Sequence, residues 1–251
     1  MLTVDDLHAK ILYPIVKIRA SNAGGSGVLI YSEPDPQHKG RYINLALSCE
    51  HVIDNAVKIR DEWDPVMKLE RKREVFEEVG VEVFDYDGSQ VISANSTQAD
   101  IIGYDKYHDI ALLKLHNFRK MDYVASIIPE SAIADLRIFS GCWVCGCSLL
   151  HDPFANPGTL TYLREIIEQK SYLMANASSV FGNSGGGLFH ESGDLLGLTS
   201  RISTIQLGFG IDVMTWMGFS THPERLYEFF RDQEFYDLLF NGGDYYEAMD
   251  K

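Results

Sequence analysis

The chain is built from short apolar runs separated by turn residues, a rhythm that selects strands over helices. YPIVKIRA, GSGVLIYS, YINLALSC, VGVEVF, ADIIGY, IALLKL, CWVCGC, GGLFH and LLGLTSRI each read as one strand, and Asp87-Gly88 in VFDYDGSQV predicts a tight hairpin turn. Over 251 residues, with 45% of them hydrophobic, this pattern supplies the core of one large or two closely packed β domains. Two segments break the rhythm. Residues 57–79, VKIRDEWDPVMKLERKREVFEEV, are dense in both charge signs and predict a solvated insertion, helical or hairpin. After Pro223, the residues Leu226, Phe229, Phe230, Phe235, Leu238 and Leu239 recur at helical spacing and predict a terminal helix packed on the β structure. The closing NGGDYYEAMDK reads as an acidic tail that frays.

The formal net charge of -14 argues against a nucleic-acid partner, because binding to phosphate rests on Lys and Arg releasing condensed counterions. An anionic membrane surface is disfavoured for the same reason. MLTVDDLHAK carries acids where a signal peptide needs a basic start and an apolar run, and no stretch reaches the length of a membrane span. A soluble, cytoplasmic protein is the expectation. Four cysteines, Cys49, Cys142, Cys145 and Cys147, are few, and three of them crowd into SGCWVCGC, so reduced thiols are expected rather than a disulfide framework. C-W-V-C-G-C also lacks a second pair at zinc-finger spacing; even with His151 nearby, neither a metal nor a cofactor is expected.

The stretch SSVFGNSGGGLF, from Ser178 to Phe189, puts Ser184 among four glycines and an asparagine. A flexible hinge joins domains, whereas this run is flanked by strand-like LF and by LLGLTSR. The alternative is that Gly182, Gly185 and Gly186 permit a backbone that presents Ser184 while turning N–H groups toward one point, where they stabilise an oxyanion. A serine hydroxyl is a poor nucleophile until a base takes its proton, and the base needs a third group to fix its tautomer. His51 ends an apolar strand in NLALSCEHVI, and Asp109 opens another in YHDIALLKL. Each alone reads as a surface, capping or turn residue; the three together read as a triad.

These residues resemble the chymotrypsin/trypsin-like serine peptidase family, and within it the HtrA-type and other bacterial or viral trypsin-like branches. GSGVLI is similar to the strand motif G-S-G-x-x-I, LSCEHVI to T-x-x-H-V, HDIALLKL to S-D-I-A-L-L-K, and GNSGGGL to G-N-S-G-G-P-L; the similarity runs from about Tyr13 to about Ser220. It implies an all-β fold of two packed antiparallel six-stranded barrels with a C-terminal α-helix. The expected division is residues 1–120 for the barrel with His51 and Asp109, 121–220 for the barrel with Ser184, and 221–251 for the helix and tail.

The resemblance makes Ser184 the nucleophile, His51 the general base and then acid, Asp109 the orienting carboxylate, and the N–H groups of Gly182 and Ser184 the oxyanion hole. It puts Ser178 at the floor of the primary pocket, Ser200, Arg201 and Ile202 along its edge, and Gly210 on the opposite wall. With no anion at the floor, an apolar or small residue is expected before the cut bond, and Arg201 is weighed between favouring acidic neighbours and facing solvent. Asn183 stands where digestive and clotting members carry an aspartate that pairs with a freed N-terminus, which implies no activating cleavage. Gly187 replaces the usual proline, which implies a looser turn and an oxyanion hole formed on demand. HtrA-type members often append a PDZ module, and nothing after the catalytic unit is long enough for one. Substrate choice is therefore expected from surface loops, the charged insertion or a regulatory protein partner. The expected activity is hydrolysis of protein or peptide substrates. The rival readings are a silent or partner-gated protein-binding module of the same fold and, more weakly, redox or metal sensing by the cysteine cluster.

Overall fold

The computed structural model describes residues 2–20, 23–64, 67–207 and 210–250. Its strands are β1 (Ile15–Ala20), β2 (Ala23–Pro34), β3 (Tyr42–Ser48), β4 (Val57–Asp64), β5 (Leu69–Phe76), β6 (Val79–Asp87), β7 (Gln90–Asp105), β8 (Ile110–Leu115), β9 (Gly141–Gly146), β10 (Phe154–Ile167), β11 (Lys170–Ala175), β12 (Gly187–His190), β13 (Leu195–Leu207) and β14 (Gly210–Thr221). The helices are α1 (Val4–Leu7), α2 (Glu50–Ile53), α3 (Pro223–Asp232), α4 (Tyr236–Phe240) and α5 (Tyr245–Met249). Two antiparallel barrels result, in the orders β1-β2-β3-β8-β7-β6 and β10-β11-β14-β13-β12-β9. The first closes where β1 pairs with β6, Ile18 opposite Val81.

The unbroken apolar runs have a packing cause. β3 and β8 are buried along almost their whole length, on both faces. One core joins the first barrel to residues of the second, with Cys145, Cys147, Phe189 and Leu198 in the same cluster as Leu45, Leu47 and Leu112; a smaller core around Val144, Leu160 and Leu188 fills the second barrel. A strand covered on both sides has no solvated face to make polar, so period-two alternation disappears.

The charged insertion is a hairpin, β4 paired with β5 in a sheet of its own. Asp61 stands opposite Lys72 and Glu62 opposite Arg71, so the mixed charges that left helix and hairpin open become favourable cross-strand pairs. The β6–β7 turn pairs Asp87 with Gln90, so its two central residues are Gly88 and Ser89, with Gly88 at φ 56.

The tail requires a correction. Asp244 caps α5 by accepting from the Tyr246 and Glu247 N–H groups, Tyr245 is 4% exposed beneath the Lys114 ammonium, and the Tyr246 hydroxyl donates to Asp35 at 3.0 Å. Aromatic anchoring outweighs the acidic composition, and the segment packs on the first barrel.

Candidate active site

Asp109 sits immediately before β8 at φ 57, a left-handed conformation that a non-glycine residue adopts only when its surroundings enforce it. There its carboxylate collects three donors. The His51 ring Nδ1 lies 2.9 and 3.0 Å from the two oxygens, the His51 backbone N–H donates at 3.1 Å, and the Ser200 hydroxyl donates at 2.5 Å. Burial pushes the Asp109 carboxyl upward, but the hydrogen bond and charge of His51, with Ser200 behind them, outweigh it and hold the group below its ordinary range.

For His51, burial pulls the imidazole down, while Asp109, and then Glu50 and Asp54, raise it above 6.5 overall. A base whose folded value is raised loses its proton later as pH climbs. If His51 is the base, the acid limb of kcat/KM therefore lies above pH 6.5. A pH–rate series on a peptide substrate checks this, and a limb well below that value contradicts the assignment.

The Ser184 loop is shaped by its glycines and by one residue of the other barrel. Gly182 has φ 92 and Gly185 φ 83, and a Cβ at Gly185 would stand 2.2 Å from the Ser26 carbonyl oxygen. Ser26 grips this loop: its N–H donates to the Ser184 carbonyl at 2.8 Å and its hydroxyl to the Gly182 carbonyl at 2.7 Å. The same hydroxyl accepts from the Cys147 N–H at 2.7 Å. Asn183 is buried, its Oδ1 accepting from the Ser148 hydroxyl.

The preceding carbonyl, of Phe181, accepts from the Leu149 N–H at 2.8 Å. In a trans peptide the N–H opposes the carbonyl, which sends the Gly182 N–H the other way. Among the described residues neither the Gly182 nor the Ser184 N–H has a backbone acceptor. Gly187, which the sequence suggested would loosen this turn, begins β12 and is paired on both sides, with Cys145 and Leu198. The end of the turn is thus held by pairing to both neighbouring strands.

Ser184 and His51 line one cleft of about 410 Å³, with no hydrogen bond between them among the described residues. Ser200, Arg201 and Ile202 line it as well. Ser178 does not: it is exposed, and its neighbour Ser179, fully buried, lines the cleft instead. In an extended segment successive side chains point to opposite sides, so a shift of one residue exchanges pocket for solvent. Gly210 pairs with Leu207 at the closed end of the β13–β14 hairpin, whereas Gly218 is the glycine that faces Ser179, its added Cβ 3.2 Å from that of Ser179.

Ligand atoms of Cys49, His51 and Asp109 lie close enough together to hold a metal ion. The set does not fit one well. Burial pushes the Cys49 thiol far up, and its Sγ donates to the Thr199 carbonyl at 3.3 Å, so the thiolate a metal requires is disfavoured. Cys142, Cys145 and Cys147 are buried, unpaired thiols.

A family model described as a trypsin-like peptidase domain matches residues 25–198, which hold His51, Asp109 and Ser184. The chain belongs to that family. It is 32% identical over 130 residues to a "Probable periplasmic serine endoprotease DegP-like" of Rhizobium meliloti (strain 1021), covering 46% of this chain and 24% of that protein. It is 26% identical over 158 residues to a "Serine protease Do-like HtrA" of Lactococcus lactis subsp. cremoris (strain MG1363), covering 53% of this chain and 38% of that one. The matches thus span well under half the length of these relatives. Among solved structures, Deg5 superposes with a TM-score of 0.61 at 19% identity, over 95% of this chain and 94% of the other. AlgW, an HtrA-type protease solved with a tripeptide, gives 0.61 at 15% identity over 96% and 65%.

This trypsin-like peptidase domain also carries a brace that the sequence did not announce. Arg225 of α3 is 3% exposed, and among the described residues it forms no ion pair with a carboxylate. Its guanidinium lies 4.9 Å from the Tyr172 ring centroid and donates to the carbonyls of Ser171, Tyr107 and His108. The last two directly precede Asp109, so the helix after the second barrel clamps the loop that aims the carboxylate at His51. Arg225→Met is expected to lower kcat about a hundredfold, the scale of a small misplacement of reacting groups. KM should change little, and the acid limb should move down as Asp109 loses its hold on His51. An unaltered pH profile in a variant with intact circular dichroism would reduce Arg225 to a packing residue.

Proposed function

We propose that this chain is a serine endopeptidase that hydrolyses peptide bonds of protein substrates through an acyl-enzyme. The observation that carries the reading is the pair of N–H groups on Gly182 and Ser184, without a backbone acceptor among the described residues, set beside the Asp109–His51 pair in the cleft of Ser184. Two backbone donors set side by side next to a hydroxyl suit an oxyanion.

Ser184 Oγ attacks the carbonyl carbon of the scissile bond as its proton passes to His51. The carbonyl oxygen becomes an oxyanion that accepts from the Gly182 and Ser184 N–H groups. Collapse of the tetrahedral species breaks the C–N bond, and His51 returns the proton to the departing amine. Water then repeats the sequence on the ester and frees Ser184. Asp109 remains ionised throughout, stabilising the imidazolium and fixing its tautomer. The missing Ser184–His51 hydrogen bond is no obstacle, since such contacts commonly tighten only in the Michaelis complex.

Fluorophosphonate labelling followed by peptide mapping tests this. An adduct on Ser184, absent from Ser184→Ala, is the expected result. Folded protein that takes up no label would instead support the protein-binding reading of the same fold.

A further inference from the structure

Among the described residues, two side chains deep in the cleft beside Ser184 carry polar atoms that find no partner. Ser179 is 0% and Thr199 3% exposed, both line the cleft, and neither Ser179 Oγ nor Thr199 Oγ1 makes a hydrogen bond. An unsatisfied buried hydroxyl is costly, and native structures pair nearly all of them. The backbone of both residues is committed elsewhere. The Ser179 N–H donates to the Thr215 carbonyl at 2.9 Å, and Thr199 exchanges bonds with the serine loop, donating to Gly186 at 2.7 Å and accepting from Gly185 at 2.9 Å. Facing Ser179 is Gly218, where an added Cβ would stand 3.2 Å from the Ser179 Cβ and crowd it.

The charges around the cleft are also committed. Among its lining residues the ionisable ones are His51 and Arg201. His51 is bound to Asp109, while the Arg201 guanidinium pairs with Glu168 at 2.6 Å and lies over the Tyr172 ring at 5.6 Å. Among the described lining residues none is an anion that would hold Lys or Arg, and the Arg201 guanidinium already has its carboxylate. Each hydroxyl both donates and accepts. A neutral group that satisfies two of them must do the same, and a carboxamide offers an acceptor oxygen and two N–H donors on one rigid plane.

We propose that the primary pocket selects a carboxamide side chain, Gln or Asn, on the acyl side of the cut bond, with Ser179 and Thr199 as its specificity determinants. The inference rests on the peptidase reading above, and it replaces the apolar or small preference drawn from the sequence. An aliphatic side chain would leave both hydroxyls unpaired, the situation in which hydrogen-bonding sites reject analogues lacking the polar group.

The test is digestion of a proteome-derived peptide library, with cleavage sites identified by mass spectrometry, alongside fluorophosphonate labelling of the same preparation. Gln and Asn should dominate on the acyl side, and in matched peptides their kcat/KM should exceed that of Val or Leu by roughly tenfold or more, as expected for one unpaired buried group. The near-isosteric Ser179→Ala, Thr199→Val double variant should lower the Gln-to-Val ratio by a similar factor while melting at or above the wild-type temperature, since it removes two unpaired buried hydroxyls. A dominant aliphatic, basic or acidic preference overturns the inference and leaves the peptidase reading standing, as does label uptake at Ser184 without cleavage of any Gln or Asn peptide. Absence of both label and cleavage removes the peptidase reading, and this inference with it.

Discussion

Ser184→Ala should lower turnover about a million-fold, the loss measured when the nucleophile of a working triad is removed. The size follows from the proposed chemistry, in which no second hydroxyl can form the acyl-enzyme. What remains is the help that the oxyanion donors give to direct attack by water. The fold should not register the change. The Ser184 side chain makes no hydrogen bond to His51 among the described residues, whereas the bond holding its segment, from the Ser26 N–H to the Ser184 carbonyl, belongs to the backbone. Discontinuous assays at high enzyme concentration, paired with thermal melts, separate these effects. Residual turnover of even one part in a thousand, from protein free of wild-type contamination, would mean that another group performs the attack.

The three side chains proposed to do chemistry were legible in the sequence because each is fixed by a local pattern: a histidine after a buried strand, an aspartate before one, a serine within glycines. Their convergence depends on long-range pairing, and that came from the resemblance, since no local pattern states that β3 lies beside β8. The pocket was read less well. Ser178 and Ser179 are adjacent serines, and nothing in SSVFG tells which faces inward; the choice is made by the Ser179 N–H pairing with the Thr215 carbonyl on β14. Leu149 was invisible for another reason. It acts through its backbone N–H, in a left-handed turn at φ 52, so its side chain carries no signal.

Arg225 and Tyr245 share a cause of concealment. In the sequence Arg225 is a charged residue of the helix after Pro223 and Tyr245 belongs to the acidic tail, and at both places the charge predicts solvent. In the fold Arg225 finds three carbonyls and an aromatic face, and Tyr245 a lysine above its ring. Burial of such groups is decided by partners far away in the chain. It is also what turns the C-terminal helices from a cap on the barrels into a support for the site, because α3 reaches the backbone that precedes Asp109.

On the proposed mechanism, Asp109→Asn should cost about ten-thousand-fold in kcat, as in known Ser-His-Asp triads, although it changes a single heavy atom. The carboxylate accepts from the His51 ring, the His51 backbone N–H and the Ser200 hydroxyl, so among the described residues its hydrogen-bond partners are all donors. A carboxamide must place its own NH₂ against one of them. Whichever way it turns, a donor meets a donor, or the imidazole adopts the tautomer with its proton on the nitrogen that should receive the serine proton. The negative charge that raises His51 is lost as well, and burial then pulls the imidazole down. The variant should therefore combine a large fall in kcat with an acid limb displaced to lower pH, while Ser184→Ala gives the fall in turnover by removing the attacking atom itself. Measuring kcat against pH for Asp109→Asn distinguishes the two parts. A tenfold loss with an unmoved limb would show that Asp109 holds the loop in place and that some other group orients His51.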